Sequence, residues 1–79
     1  MKNQEILDFI AEVISVSSET DIKSIVITDS SETIKEWDSI VTVALATAIS
    51  SKFNIEIGIE KLDKITKVEN IINLINNNA

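Results

Sequence analysis

Ser39 is the residue of this chain whose type and position best suit chemistry. It lies in the stretch Glu36-Trp37-Asp38-Ser39-Ile40, near the middle of 79 residues, where a polar connector gives way to a long apolar segment. An isolated serine hydroxyl is a poor nucleophile unless a neighbouring base activates it. At the start of a helix, the same hydroxyl can cap free amides or accept a group from another molecule.

The composition removes most catalytic roles for this serine. The sequence contains no histidine and no cysteine. It therefore has no Ser-His-Asp triad, no disulfide and no cysteine-based metal site. We expect that the chain is not an enzyme, and that Ser39 is an acceptor and not a catalytic nucleophile.

The charge of the chain indicates which partners suit it. Thirteen acidic residues against seven basic ones give a net charge of −6. Nucleic-acid binding needs a basic face, so we expect none, whereas a positively charged protein partner would fit. No apolar run approaches the roughly 18 residues of a membrane span, and the amino-terminal residues lack the apolar core of a signal peptide. We expect a cytoplasmic protein that does not enter a membrane.

The apolar pattern predicts one domain, residues 1–79, of the all-α class. Apolar residues make up 44% of the chain and recur at helical spacing. We predict a small four-helix bundle, with three long helices, one short helix and a long first connector. The predicted helices span residues 3–16, 39–53, 60–65 and 67–76.

The residues predicted to face the core recur every three or four positions in these segments. In the first helix they are Ile6, Leu7, Phe9, Ile10, Val13 and Ile14, and in the second they are Leu45, Ile49 and Phe53. Leu62 and Ile65 belong to the short helix, and Val68, Ile71, Ile72 and Ile75 to the last one. The final residues, 76–79, should fray.

The helix ends carry capping residues. We predict that Asn3 caps the first helix and that Asp38 or Ser39 caps the second, which should end at a left-handed Asn54. Thr66 and Glu69 have the spacing of a capping box for the last helix.

The connector over residues 17–38 is unusually long for a compact domain. We expect one helical turn at residues 31–35, capped by Ser30 or Ser31. The alternative is a small sheet, because residues 25–27 and 55–57 have strand propensity.

Taken in order along nearly the whole chain, these features resemble the acyl carrier protein family. The resemblance rests on Asp38-Ser39-Ile40 at the start of the second helix, on Phe53-Asn54-Ile55 where that helix closes, and on Ile65-Thr66-Lys67-Val68 before the last helix. Family members commonly show Phe-Gly-Ile at the second of these places. Glu-Trp-Asp-Ser is most similar to discrete carriers of specialised pathways, such as surface-polysaccharide or secondary-metabolite synthesis.

The resemblance implies a covalent cofactor. In the family, a phosphopantetheinyl transferase attaches 4'-phosphopantetheine to the serine that corresponds to Ser39, and the thiol of this arm carries acyl groups as thioesters. Asp38 and Ile40 would then flank the site and help the transferase to recognise it. The further partners would be enzymes that load and transfer acyl groups, in fatty acid, polyketide or surface-polysaccharide synthesis, and the carrier would be a monomer.

One departure from the family concerns partner binding. Fatty-acid carriers have an acidic second helix, whereas the segment from Ile40 to Phe53 contains no acid and carries Lys52. Positions where the family commonly has carboxylates hold Val41, Ala44, Ser50 and Ser51. We therefore expect apolar partner contacts beside the arm, through Val41 and Ala44, with Trp37 and Glu36 nearby. Asp29, Glu32, Glu36, Glu56, Glu60 and Asp63 are candidates for electrostatic steering.

A second function stays open at this point. The chain could be a small helical protein-interaction module without a prosthetic group, in which Ser39 serves only as a cap. Covalent loading of Ser39 separates the two hypotheses.

Overall fold

The structure, a computed structural model, describes residues 2–77. In this part of the chain it has helix α1 (Asn3–Ser18), helix α2 (Ser39–Phe53), a short 3-10 helix (Ile59–Thr66) and helix α3 (Val68–Asn77). The all-α prediction and the four-helix order are confirmed. The alternative, a small sheet, does not form in these residues, where the only strand-like pairing is one isolated bridge between Ser30 and Lys67.

Helix α1 presents one apolar face to the core. Ile6, Ile10 and Ile14 are completely buried, as their spacing of four residues predicts. The predicted cap is wrong, because Asn3 is the first helical residue and Lys2 occupies the cap position without a side-chain hydrogen bond. The helix also continues two residues beyond the predicted end, to Ser18.

A left-handed residue ends helix α1. Glu19 has φ 57° and ψ 30°, and its amide donates to the Ser15 carbonyl oxygen. The Ser15 hydroxyl accepts a 2.8 Å hydrogen bond from the Ile22 amide, which ties the start of the connector back to the helix. The chain thus reverses without a glycine, through a residue that is strained in this conformation.

Helix α2 begins and ends as predicted. Asp38 is its cap, with the Oδ1 atom accepting a 2.9 Å hydrogen bond from the Val41 amide. Asn54 closes the helix with φ 54° and ψ 47°. Near this end, the rings of Phe9 and Phe53 meet edge to face with centroids 5.7 Å apart, which joins α2 to α1.

The connector is held by turns and by a tie to the start of α3. Ser30 organises one turn, since its hydroxyl accepts from the Glu32 amide and its carbonyl oxygen accepts from the Ile34 amide. The turn is a single one and not a helix. The Ser31 amide donates to the Thr66 carbonyl oxygen at 2.8 Å, and the Val68 amide donates to the Asp29 carbonyl oxygen at 3.1 Å.

The last two elements differ in detail from the prediction. The predicted capping box is wrong, because the Thr66 hydroxyl donates to the Asp63 carbonyl oxygen at 2.6 Å and so closes the 3-10 helix. The Lys67 carbonyl oxygen accepts the first bond of α3, from the Ile71 amide. Helix α3 continues through Asn77, and the predicted fraying of Asn78 and Ala79 lies outside the described residues.

One core joins all of these elements. Its members come from the three α-helices, the connector, the 3-10 helix and, between α2 and the 3-10 helix, Ile55, and several partly buried side chains pack against it. Most residues predicted to face inward do so: Ile6, Ile10, Ile14, Leu45, Ile49, Ile65, Val68, Ile71, Ile72 and Ile75 are buried, while Leu7, Phe9, Val13, Phe53 and Leu62 are partly buried. The core places the start of α2 at the surface, next to the connector.

Candidate functional site

Ser39 is the first residue of α2, and its side chain is exposed. Within the described chain, its hydroxyl has no hydrogen-bond partner, because Asp38 and not Ser39 caps the helix. The serine is therefore not needed to hold the helix start together. Its oxygen is free to react with a group brought by another molecule.

The backbone around Ser39 suits an anion. The amides of Val41 and Thr42 are engaged by the Oδ1 atom and the carbonyl oxygen of Asp38. The amides of Ser39 and Ile40 have no partner in the part of the chain that the structure describes. Free amides and the positive end of the helix dipole both favour a negatively charged group at this point.

Trp37 supports the start of α2 from inside the protein. Its side chain is only 2% exposed, and the indole Nε1 donates a 3.1 Å hydrogen bond to the Oγ1 atom of buried Thr42. Trp37 thus belongs to the core and does not lie at the surface as a partner contact. Any influence on a partner would therefore come through the position of the helix start, and not through contact with an exposed ring.

Val41 corrects the expected contact surface. It is 2% exposed and belongs to the core, so the expectation that it lies at the surface is wrong. The apolar residues of α2 occupy almost every side of the helix, and the sequence alone does not tell which side faces inward. The exposed apolar residues at this end of α2 are its neighbours Ile40, at 74%, and Val43, at 52%.

Ala44 and Glu36 are both partly buried. Ala44 lies on the side of α2 that faces α1, where it lines a shallow groove with Val13, Val16 and Ala48. It is therefore on a different side of α2 from Val43. Glu36 lies in the connector, two residues before Asp38, the exposed cap of α2.

A groove lies between α2 and the opposite wall formed by the 3-10 helix and the residues before it. Its volume is about 480 Å³, and it is lined by Val43, Ala46, Thr47, Ser50, Ser51, Ile57, Gly58, Ile59 and Leu62. Val43, Ala46 and Thr47 line the groove from α2. Ile65, in the 3-10 helix, is completely buried in the core and does not line the groove.

Ile59 is the residue of this region that the sequence analysis missed. It is 86% exposed at the start of the 3-10 helix and lines the groove opposite α2. The available signal was an isoleucine directly after Gly58, at the predicted start of a helix, where a polar residue is usual. Together, Ile40, Val43 and Ile59 form an exposed apolar set, which we call the apolar rim.

The acidic residues expected to steer a partner differ in their exposure and hydrogen bonding. Asp29 is engaged inside the connector, because its carboxylate accepts hydrogen bonds from the Val26 amide and the Thr33 hydroxyl. Glu32, Glu56, Glu60 and Asp63 are exposed. Steering of a basic partner would thus depend on these four residues more than on Asp29.

Residues 2–77 contain neither a metal-binding cluster nor a membrane-spanning helix. Among them, no group of three or more acidic side chains is arranged to hold a metal ion. No helix in this part of the chain has the length and apolar character needed to cross a membrane.

In comparisons with protein-family models, with curated proteins and with solved structures, nothing matches this chain.

Proposed function

We propose that the chain is a carrier protein that holds acyl groups on a 4'-phosphopantetheine arm attached to Ser39. The observation that carries this proposal is the division of labour between two neighbouring residues. Asp38 caps the helix, and Ser39 presents an exposed hydroxyl that has no partner in the described chain. The resemblance of the sequence to acyl carrier proteins supports the proposal independently of the geometry.

The residues at this position fit the proposed arm. A phosphodiester on the Ser39 oxygen would be an anion beside the free amides of Ser39 and Ile40, at the positive end of α2. The arm would supply a thiol, which the chain lacks, and with it the ability to hold acyl groups as thioesters. The chain's own contribution is to anchor and orient the attachment point.

The loading reaction needs a partner enzyme. The Ser39 oxygen would form a bond to the phosphorus that bears the pantetheine part of coenzyme A. The bond from that phosphorus to the adenosine-bearing phosphate would break, and adenosine 3',5'-bisphosphate would leave. A base must take the serine proton, and because the sequence has no histidine and the neighbouring Asp38 carboxylate caps α2, we assign this base to the transferase.

Partner recognition would combine the apolar rim with the surrounding acids. Ile40 lies directly after the attachment point, and Val43 is one helical turn further along. An apolar contact at the centre of an interface contributes affinity, whereas charges at the margin mainly raise the rate of association. We therefore assign to the apolar rim the role first expected of Val41.

Intact-mass spectrometry after incubation with coenzyme A and a broad-specificity phosphopantetheinyl transferase tests the proposal. We expect the mass of one phosphopantetheine group to be added to the wild-type chain and to Ser24→Ala, a matched change at an exposed serine of the connector. Ser39→Ala should stay unmodified while keeping its helical content. An unmodified wild-type chain would favour the alternative, an interaction module without a prosthetic group.

A further inference from the structure

We infer that the groove between α1 and α2 is a docking surface for another protein, and that it takes a helix with one apolar side and one basic side. The inference goes beyond the proposed function, because nothing in it depends on a group attached to Ser39. Its evidence is the apolar lining of the groove, the unpaired acids along its edge, and a lysine that already lies over its aromatic end.

The groove between α1 and α2 has an apolar lining. Phe9, Val13 and Val16 line it from α1, and Ala44 and Ala48 line it from α2. Four of these side chains are partly buried, whereas Val16 is 74% exposed. Because the wall on α2 is made of alanines, the side chains of another helix can approach the backbone of α2 closely. The groove is thus open to apolar side chains of a partner.

An acidic stripe, formed by Glu5, Asp8 and Glu12, runs along α1 beside the groove. These residues are exposed and are spaced by three and four positions, which places them on one side of the helix. Glu12 also lines the groove itself. In the described chain, the single ion pair joins Lys23 to Asp21, so none involves the acidic stripe. Its negative charges are therefore available to a basic partner.

The acidic stripe does not stabilise α1. Like charges three and four residues apart on a helix repel one another. Glu5 is in the first turn, where the helix dipole favours an acid, but Asp8 and Glu12 lie beyond that turn. Helix α2, in contrast, contains no acid. Any attraction of a basic partner along a helix of this pair must therefore come from α1.

Lys52 shows that one end of the groove accommodates an ammonium group. Its Nζ atom lies 5.3 Å from the centroid of the Phe9 ring, and Lys52 lines a depression together with the three residues of the acidic stripe. A cation over the face of an aromatic ring is attracted by the ring quadrupole. A lysine or arginine of a partner would meet the same ring and the same carboxylates.

Charge selects the basic helix over other occupants. A second copy of the chain has the same net charge of −6 and would bring its own acidic stripe against this one. A nucleic acid or an anionic membrane surface would be repelled in the same way. A basic amphipathic helix is attracted by the acidic stripe, and its apolar residues, spaced by three and four positions, suit a groove between two helices.

The test uses the full chain and three labelled synthetic peptides of roughly 18 residues, a length that supports a helix in water. The first peptide has leucines on one side of the helix and lysines on the other. The second has glutamates in place of the lysines, and the third has alanines in place of the leucines. We expect fluorescence anisotropy to give the first peptide a Kd at least about tenfold lower than that of either other peptide, and a Kd that rises with salt.

Substitutions at exposed positions locate the bound peptide. Val16→Ser should raise the Kd of the leucine-lysine peptide about tenfold, and Glu12→Gln should raise it about threefold. The matched changes in the connector, Val26→Ser and Glu32→Gln, should leave it unchanged. Circular dichroism checks that each variant keeps its helical content.

Substitution of Lys52 should have the opposite effect. Lys52→Gln removes the ammonium group that competes for the Phe9 ring and the acidic stripe, so it should lower the Kd about threefold. Lys35→Gln makes the same change in net charge at an exposed connector position and should have no such effect. Equal responses to the two substitutions would contradict the role given to Lys52.

Four outcomes overturn the inference. They are the absence of binding, equal binding of the glutamate peptide, a larger response to Ile59→Ser in the apolar rim than to Val16→Ser, and self-association of the chain that Val16→Ser abolishes. The third would assign docking to the apolar rim, and the fourth would assign the groove to a second copy. Ser39→Ala should bind the peptide as the wild type does, so a failure of loading at Ser39 and a failure of this inference are distinguishable.

Discussion

The hydroxyl of Thr42, in the first turn of α2, is hydrogen-bonded to both Trp37 and Asp38. Its oxygen accepts a 3.1 Å hydrogen bond from the Trp37 indole and donates a 3.0 Å hydrogen bond to the Asp38 carbonyl oxygen. One buried side chain thus fixes both residues that precede Ser39. The backbone that presents Ser39 is therefore held from inside the protein and leaves the outer surface of the site free.

Thr42→Val should destabilise the protein by about 1–3 kcal/mol, because it leaves the buried Trp37 indole without an acceptor. Thr42→Ser keeps the hydroxyl and loses only a methyl group, so its cost should be about 1 kcal/mol. Urea unfolding followed by the fluorescence of the single tryptophan measures both changes. Equal free energies of unfolding for the two variants would show that the hydrogen bond is not what matters.

Asp38 and Ser39 should have different roles: Asp38 should contribute to stability, whereas Ser39 should be needed for modification. Asp38→Ala removes the cap of α2 and should cost about 1 kcal/mol of unfolding free energy, whereas Ser39→Ala should cost little, because its hydroxyl has no partner in the described chain. Asp38→Asn keeps a capping oxygen without the charge. We expect the asparagine variant to be stable but slowly loaded, because the transferase would recognise the charge of Asp38. Unchanged loading of this variant would exclude recognition of that charge.

Glu19 should be a site where glycine stabilises. Its left-handed backbone strains a residue with a Cβ atom, and an acidic side chain at the carboxyl end of α1 opposes the helix dipole. We expect Glu19→Gly to raise the free energy of unfolding by about 1 kcal/mol. The same change at Glu12, an exposed residue inside α1, should lower it by about 1 kcal/mol. Changes of the same sign at both positions would contradict the strain assigned to Glu19.

The apolar rim should contribute more to partner affinity than the acids around it. Ile59→Asp is expected to raise the KM of the transferase for the carrier about tenfold, a change of about 1.4 kcal/mol, with little effect on stability because the side chain is exposed. Val26→Asp, in the connector, introduces the same charge at another exposed apolar residue and should leave the KM unchanged.

Glu56→Gln and Asp63→Asn test the contribution of the acidic residues to the same interaction. Both residues are exposed, and their double replacement should mainly reduce the salt dependence of loading. A KM that responds to this double variant more strongly than to Ile59→Asp would assign recognition to the acids. Val41→Asp is not a test of the surface, because a buried unpaired carboxylate should unfold the protein.

The fold could be predicted where apolar residues recur on one side of a helix. In α1, the spacing of Ile6, Ile10 and Ile14 leaves only one side that can be buried, and all three residues are in the core. The bounds of α2 were also predictable, because Asp38 and Asn54 have side chains that suit their terminal conformations.

The candidate surface was harder to predict, for a physical reason. In α2, apolar residues lie on nearly every side, so spacing alone does not decide between Val41 and Val43 as the exposed residue. Only the packing of α2 against α1 and the 3-10 helix decides it, and it buries Val41. The exposure of Ile59 has the same origin, since it depends on how the 3-10 helix lies against α2.

The tie between the connector and the start of α3 has a consequence for the order of folding. The paired amides and carbonyl oxygens of Asp29, Ser31, Thr66 and Val68 join parts of the chain that are far apart in the sequence. Local helices can form early, but closing so large a loop is entropically costly and must await most of the other contacts. The connector that leads to Ser39 therefore acquires its final course late. In a nascent chain, the segment that precedes Ser39 should stay unsettled until α3 has been synthesised and docked.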